Sequence, residues 1–180
     1  MASLEKRPLL FLDVDGPLIP FGGGGYATHG AVPAGGNPLL SRIDPRLGRR
    51  LAALPCDLVW ATTWMAEANE SVAPRLGLPP LAVVEWPEPS EVDERAGLHW
   101  KTRALVDRAG GRCFAWVDDE ITRTDRAWVA AHHRGDALLH RVDPGQGLTD
   151  ADFVAIEEWS RRDHGTAGCP ARSFEPPRRR

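Results

Sequence analysis

A chain of 180 residues, 42% apolar and 26% charged, has the makeup of one globular domain able to bury a core. Its formal charge of −3 leaves no global footprint for a polyanion, and no apolar run reaches membrane-spanning length. Residues 1–7 lack the apolar core of a secretion signal, and Cys56, Cys113 and Cys169 show no metal-ligand spacing, so the chain reads as cytoplasmic with reduced thiols.

The first predicted element is the strand Leu9-Leu10-Phe11-Leu12, with Pro8 ahead of it and Asp13-Val14-Asp15-Gly16 behind. Apolar residues without polar alternation suit a strand covered on both faces, as in a parallel sheet. Asp13 and Asp15 then fall at its C-terminal end, where open α/β sheets form their ligand crevice. Two carboxylates this close raise one another's pKa unless a cation compensates them, and a hard ion such as Mg2+ does so. They share a face only if the strand stays extended at Asp15; if the chain turns there, Asp15 hangs over the crevice. An ordinary Asp turn at a strand end is the plainer alternative.

Residues 17–44 hold Pro17, Pro20, four consecutive glycines from Gly22 to Gly25, and Pro38. The segment is too long for a plain connection and reads as a flap over the site. Its glycines lack the Gly-Lys-Ser/Thr ending of a P-loop and fit a hinge better. Asp44-Pro45 starts a predicted helix to about Leu54. A second strand covers residues 57–62 and ends in Thr62 and Thr63, whose hydroxyls suit a phosphate oxygen. A helix follows over 66–76, then a third strand over 81–85 and a solvated acidic loop over 87–97.

A helix is predicted over 98–109, with Lys101 in its first turn, where the helix dipole disfavours a cation. Among 22 basic residues only Lys6 and Lys101 are lysine, so a compact ammonium has been kept at 101 in a chain that otherwise uses arginine. The position makes sense if Lys101 faces the acidic site. The fourth strand, 112–118, again ends in adjacent carboxylates, Asp118 and Asp119. Two strands bringing paired acids to one sheet edge predict a carboxylate cage for Mg2+. A helix over about 126–133, a fifth strand over 137–142 and a helix from Thr149 to about Arg161 complete the pattern. His132 and His133, neighbours on a helix, read as surface residues, and 163–180 as a disordered basic tail.

Strands alternating with helices predict an α/β domain over 1–162: a three-layer, Rossmann-like parallel sheet of about five strands with helices on both faces. Asp13-Val14-Asp15-Gly16, Thr62, Lys101 and Asp118-Asp119, in that order, resemble the four motifs of the haloacid dehalogenase-like (HAD) phosphohydrolase superfamily. The resemblance spans residues 8 to about 160. The wording Trp60-Ala61-Thr62-Thr63-Trp64 and Trp116-Val117-Asp118-Asp119-Glu120 is similar, more narrowly, to small HAD domains associated with RNA-repair proteins.

The resemblance implies that Asp13 attacks phosphorus to form an aspartyl-phosphate, and that Asp15 protonates the leaving oxygen and later activates water. It implies Mg2+ held by Asp13, Asp15 (through its carbonyl), Asp118 and Asp119. Lys101 and Thr62 would bind the phosphoryl oxygens, with Thr63 the competitor of Thr62. Pro17 departs from the Thr or Val frequent at that position in the family, and no second domain fits between the motifs. A minimal-cap phosphatase with an open crevice follows, its partner a phosphorylated substrate, with no membrane and no stable protein partner indicated. The alternatives are a nucleic-acid end-processing phosphatase of RNA-repair type and a non-catalytic phosphate- or metal-binding module.

Overall fold

The computed structural model describes residues 7–32, 34–88 and 90–162. Five parallel strands form one sheet: β1 (Leu9–Leu12), β2 (Asp57–Trp60), β3 (Ala82–Val83), β4 (Phe114–Asp118) and β5 (Ala137–Arg141), in the order β3-β2-β1-β4-β5. Helices cover both faces, so the predicted three-layer α/β architecture is the one observed.

The two faces follow from strand parity. Leu10, Leu12, Trp60, Ala115 and Val117 point into one core with α1 (Arg46–Ala53), α2 (Ala73–Leu76) and α6 (Asp150–Arg162), which supply Leu51, Leu76, Phe153 and Ile156. Leu9, Phe11, Val59, Phe114 and Trp116 point the other way, against Leu105 of α4 (Thr102–Ala109) and Val129 of α5 (Arg123–His132). All four residues of β1 are buried, as a central strand covered on both sides requires. Helix α1 lies so close to the end of α2 that a Cβ on Gly48 would stand 1.7 Å from the Leu76 carbonyl oxygen.

Several boundaries differ from the sequence expectation. The helix predicted over 66–76 is a π turn, Ala68–Val72, running into α2, with the Ala73 N–H bonded to the Ala68 carbonyl. Pro74 has no N–H to continue an α ladder there, and the wider turn accommodates it. The third strand is only two residues long. The acidic 87–97 segment contains a short helix, α3 (Glu91–Arg95), rather than a wholly solvated loop. Ser90 caps it, and Asp93 is buried under a two-pronged contact from Arg103 at 2.6 and 2.7 Å. Lys101 is the N-cap of α4, one position ahead of the expected first turn. His133 is buried rather than exposed, its ring against the Arg112 carbonyl at 2.9 Å.

Cys56 is a buried free thiol, but Cys113 is disulfide-bonded, which corrects the expectation of three reduced thiols. Cys169 and the predicted tail, 163–180, lie outside the described residues. Within 17–44 the described structure is a loop with one 3-10 turn, Pro38–Arg42, tied to the body by Phe21 N–H to the Pro144 carbonyl and folded back on itself by Arg42 to the Pro20 carbonyl, each at 2.8 Å. Among the described residues no helix is long and apolar enough to cross a membrane.

Candidate active site

The strand order itself creates the crevice. The chain proceeds from β1 outward through β2 to β3, then returns to the other side of β1 with β4, so the direction of winding reverses between β1 and β4. Connections leave in opposite directions at such a point and open a cleft at the C-terminal strand ends. The register aligns Leu12 with Val117, which brings the next residues, Asp13 and Asp118, abreast. Both continue the parity of Phe11 and Trp116 and face α4.

Lys101, 2% exposed, reaches down from the start of α4 and stands between them. Its ammonium donates to Asp13 Oδ2 at 2.6 Å and to Asp118 Oδ2 at 2.8 Å. Burial disfavours that charge, but the two carboxylates outweigh it and hold Lys101 above the usual lysine pKa. Burial pushes the Asp13 carboxyl up to about 7 against the pull of Lys101, and the Asp118 charge adds to the rise. Each acid has further donors: Val14 N–H to Asp13 Oδ1 at 2.7 Å, and on Asp118 the Trp116 indole N–H at 3.1 Å and the Glu120 N–H at 2.9 Å.

Asp119 completes a trio. Oxygens of Asp13, Asp118 and Asp119 all lie within 4.8 Å of one another. Burial first, and the Asp118 charge second, raise the Asp119 pKa. The close approach depends on Gly16: its φ is +85°, and a Cβ there would sit 2.6 Å from Asp119 Oδ1. Three carboxylates offering hard oxygens this close together fit a divalent cation of the Mg2+ type.

Asp15 goes elsewhere. The chain turns directly after Val14, with the Gly16 N–H on the Ile19 carbonyl and the Leu18 N–H on the Val14 carbonyl. The Asp15 side chain is therefore not in the trio; its Oδ2 accepts from the Trp64 indole N–H at 2.9 Å. Thr62 is fully buried beside this turn, since the preceding Ala61 N–H bonds the Leu12 carbonyl. Its hydroxyl accepts from the Trp64 N–H at 3.3 Å, while Thr63 is exposed.

Two features were not read from the sequence. Trp116 lies two residues before Asp118, so strand alternation alone puts its indole on the same face. His99 offers Nδ1 to the Lys101 N–H at 3.2 Å and sets Nε2 against Glu120 at 3.1 Å, bracing the backbone from which Lys101 reaches. That contact joins residues 21 apart and carries no local signal.

A family model described as the HAD domain in Swiss Army Knife RNA repair proteins matches residues 9–153. The chain belongs to that family. The match covers every strand and all four motif positions of this HAD domain. No curated protein and no solved structure matches the chain. Membership suggests a hydrolase of phosphatase or RNA-repair type, and the acidic trio could hold the divalent metal that HAD domains typically use.

Proposed function

We propose that this HAD domain is a Mg2+-dependent phosphomonoester hydrolase acting through an aspartyl-phosphate. The observation that carries the reading is the buried Asp13–Lys101–Asp118 triad at the point where the sheet winding reverses. Packing does not call for two buried acids and a buried lysine, since a hydrophobic replacement is commonly as stable or more so.

Asp13 acts as the nucleophile: one carboxylate oxygen bonds to phosphorus as the ester P–O bond breaks. Asp15 gives its proton to the departing oxygen. In the second step Asp15 takes a proton from water, the water oxygen bonds to phosphorus, and Asp13 leaves as carboxylate. Lys101 supplies positive charge where two anions must meet, and Thr62, with Thr63 as the alternative, donates to a phosphoryl oxygen. Asp13, Asp118, Asp119 and the Asp15 carbonyl are the proposed Mg2+ ligands. Bound there, the ion supplies charge neutralisation for the phosphoryl group. Residues 17–44 serve as a minimal cap, leaving the crevice open to bulky substrates.

Nucleic-acid ends are the second reading of the substrate. Besides the family description, the observation favouring it is a rim of half-exposed tryptophans. The Trp64 indole bonds Asp15, that of Trp86 bonds the Thr62 carbonyl at 3.1 Å, and Trp100 adjoins Lys101. Such rings suit base stacking.

Phosphate release from an aryl phosphate and from 5′- and 3′-phosphorylated oligonucleotides tests both readings. Release that needs Mg2+ and is lost on chelation supports the enzyme, and a preference for one oligonucleotide end supports the second substrate. Release from none of them contradicts the phosphatase reading.

A further inference from the structure

We infer that Trp64 is the positioning residue of the proton-transfer step, fixing which oxygen of Asp15 carries the proton; this rests on the phosphatase reading above. Asp13 and Asp118 are gripped by Lys101, whereas the Asp15 carboxyl is held through Oδ2 by the Trp64 indole N–H at 2.9 Å.

The indole is itself fixed. Its backbone N–H is tied to the Thr62 hydroxyl at 3.3 Å, and the half-buried Trp64 packs against the core that holds Leu10 and Leu12. The next residue, Met65, has φ +49° and is the only non-glycine with positive φ among the described residues. A bulky residue in that region carries backbone strain, which persists only where the surroundings enforce it. The strain lies in the turn that carries Trp64 out of β2 and over Asp15.

An indole nitrogen can only donate. With the N–H pointing at Oδ2, the lone pair of that oxygen facing Trp64 is engaged, and the proton to be transferred is directed to Oδ1. In the first step the Oδ1–H bond breaks and a new O–H bond forms on the leaving alcohol as its P–O bond cleaves. The electron pair left on Asp15 is stabilised by the same N–H. Water returns a proton to Oδ1 in the second step. Trp64 touches no reacting atom and works through the orientation of Asp15.

Leaving groups differ in how much they need that proton. A nitrophenolate departs unaided, whereas an alkoxide needs it nearly complete. Positioned acids contribute about 10²–10⁴-fold, and misplacing one loses part of that. Trp64→Phe keeps a ring and removes the donor. A benzothienyl alanine at 64, which replaces N–H by sulfur in the same outline, serves as the second variant should Phe unsettle the fold.

The experiment is steady-state kinetics of wild type and both variants on p-nitrophenyl phosphate and on alkyl phosphates. The expected result is a kcat loss on alkyl phosphates about 10- to 100-fold larger than on the aryl ester, with KM little moved. An equal loss on both substrates, or none, overturns the role of Trp64 while wild-type turnover leaves the phosphatase reading standing. If the wild type turns over neither of these nor a 5′- or 3′-phosphorylated oligonucleotide, itself an alkyl phosphate, in Mg2+, the phosphatase reading fails and this inference falls with it.

Discussion

The two acid-bearing strand ends look alike in sequence and behave differently in the fold. At the end of β4 the carboxylates are adjacent, and both join the trio: Asp118 faces Lys101, and Asp119 closes from the other side against Gly16. At the end of β1 they are spaced by one residue, and only Asp13 joins; Asp15 leaves with the turn and meets Trp64. One end is built to hold charge, while the other divides two carboxylates between two surroundings. Asp13 is buried and raised to about 7, and Asp15 is held by a neutral donor at the rim. In the proposed chemistry Asp13, beside Lys101, is the nucleophile and Asp15, at the rim, is the proton carrier.

The sharpest way to break this contrast is to exchange its chemistry. Asp13→Asn keeps the shape but removes the proposed nucleophile, and turnover should fall by about 10³-fold or more with the thermal unfolding curve nearly unmoved. Parallel activity and unfolding measurements check it. A variant that still turns over removes Asp13 from that role.

Removing the charge between the two ends comes next. Lys101→Met leaves two buried carboxylates unpaired and should cost about 3–5 kcal/mol at neutral pH. Denaturant titration across pH measures it. The sign follows from linkage. In the folded wild type burial pushes the Asp13 carboxyl up to about 7 from its ordinary 3.8 even against the pull of Lys101, so the native state binds the extra proton. Its contribution to stability is full below about 4 and declines as pH rises toward 7. Mg2+ favours the ionised carboxylates, so the rise in Tm it produces in the wild type should be larger at pH 8 than at pH 5.

A smaller effect is expected at the seam between the ends. Gly16→Ala combines a φ of +85° with a Cβ 2.6 Å from Asp119, and about 2–3 kcal/mol of stability should be lost, along with Mg2+ affinity. Calorimetric Mg2+ titration together with thermal unfolding would show both. The smallest change lies outside the comparison. Thr149 accepts from the Asp152 N–H at 3.4 Å and donates to its carboxylate at 2.6 Å, starting α6. Thr149→Ala should cost about 1 kcal/mol of stability and leave phosphate release as it was. A change in turnover there would mean that the site senses the whole fold rather than its own residues.

Much of this contrast could be read in the residues themselves. Unalternated apolar runs marked four of the five strands, and the acids at the ends of two of them located the crevice. Lys101 stood out because a lone lysine held an unfavourable position at the start of a helix. What escaped was decided by contacts between distant segments. The turn that carries Asp15 out over the crevice was one of the two paths the sequence allowed, but its indole partner lies 49 residues away, and the burial of Asp93 depends on Arg103 in the following helix. The two-residue β3 at the sheet edge pairs only with β2, so the expected strand of five residues overstated its length. The π turn before Pro74 followed from a missing N–H that helical periodicity does not register.

The central claim is that Asp13 takes the phosphoryl group onto itself. Mass spectrometry of enzyme quenched in acid during turnover of an aryl phosphate in Mg2+ tests it directly. The account predicts one added phosphoryl group on the peptide carrying Asp13, absent after chelation and absent in Asp13→Asn. Turnover with no such adduct, or with the adduct on another residue, would contradict it.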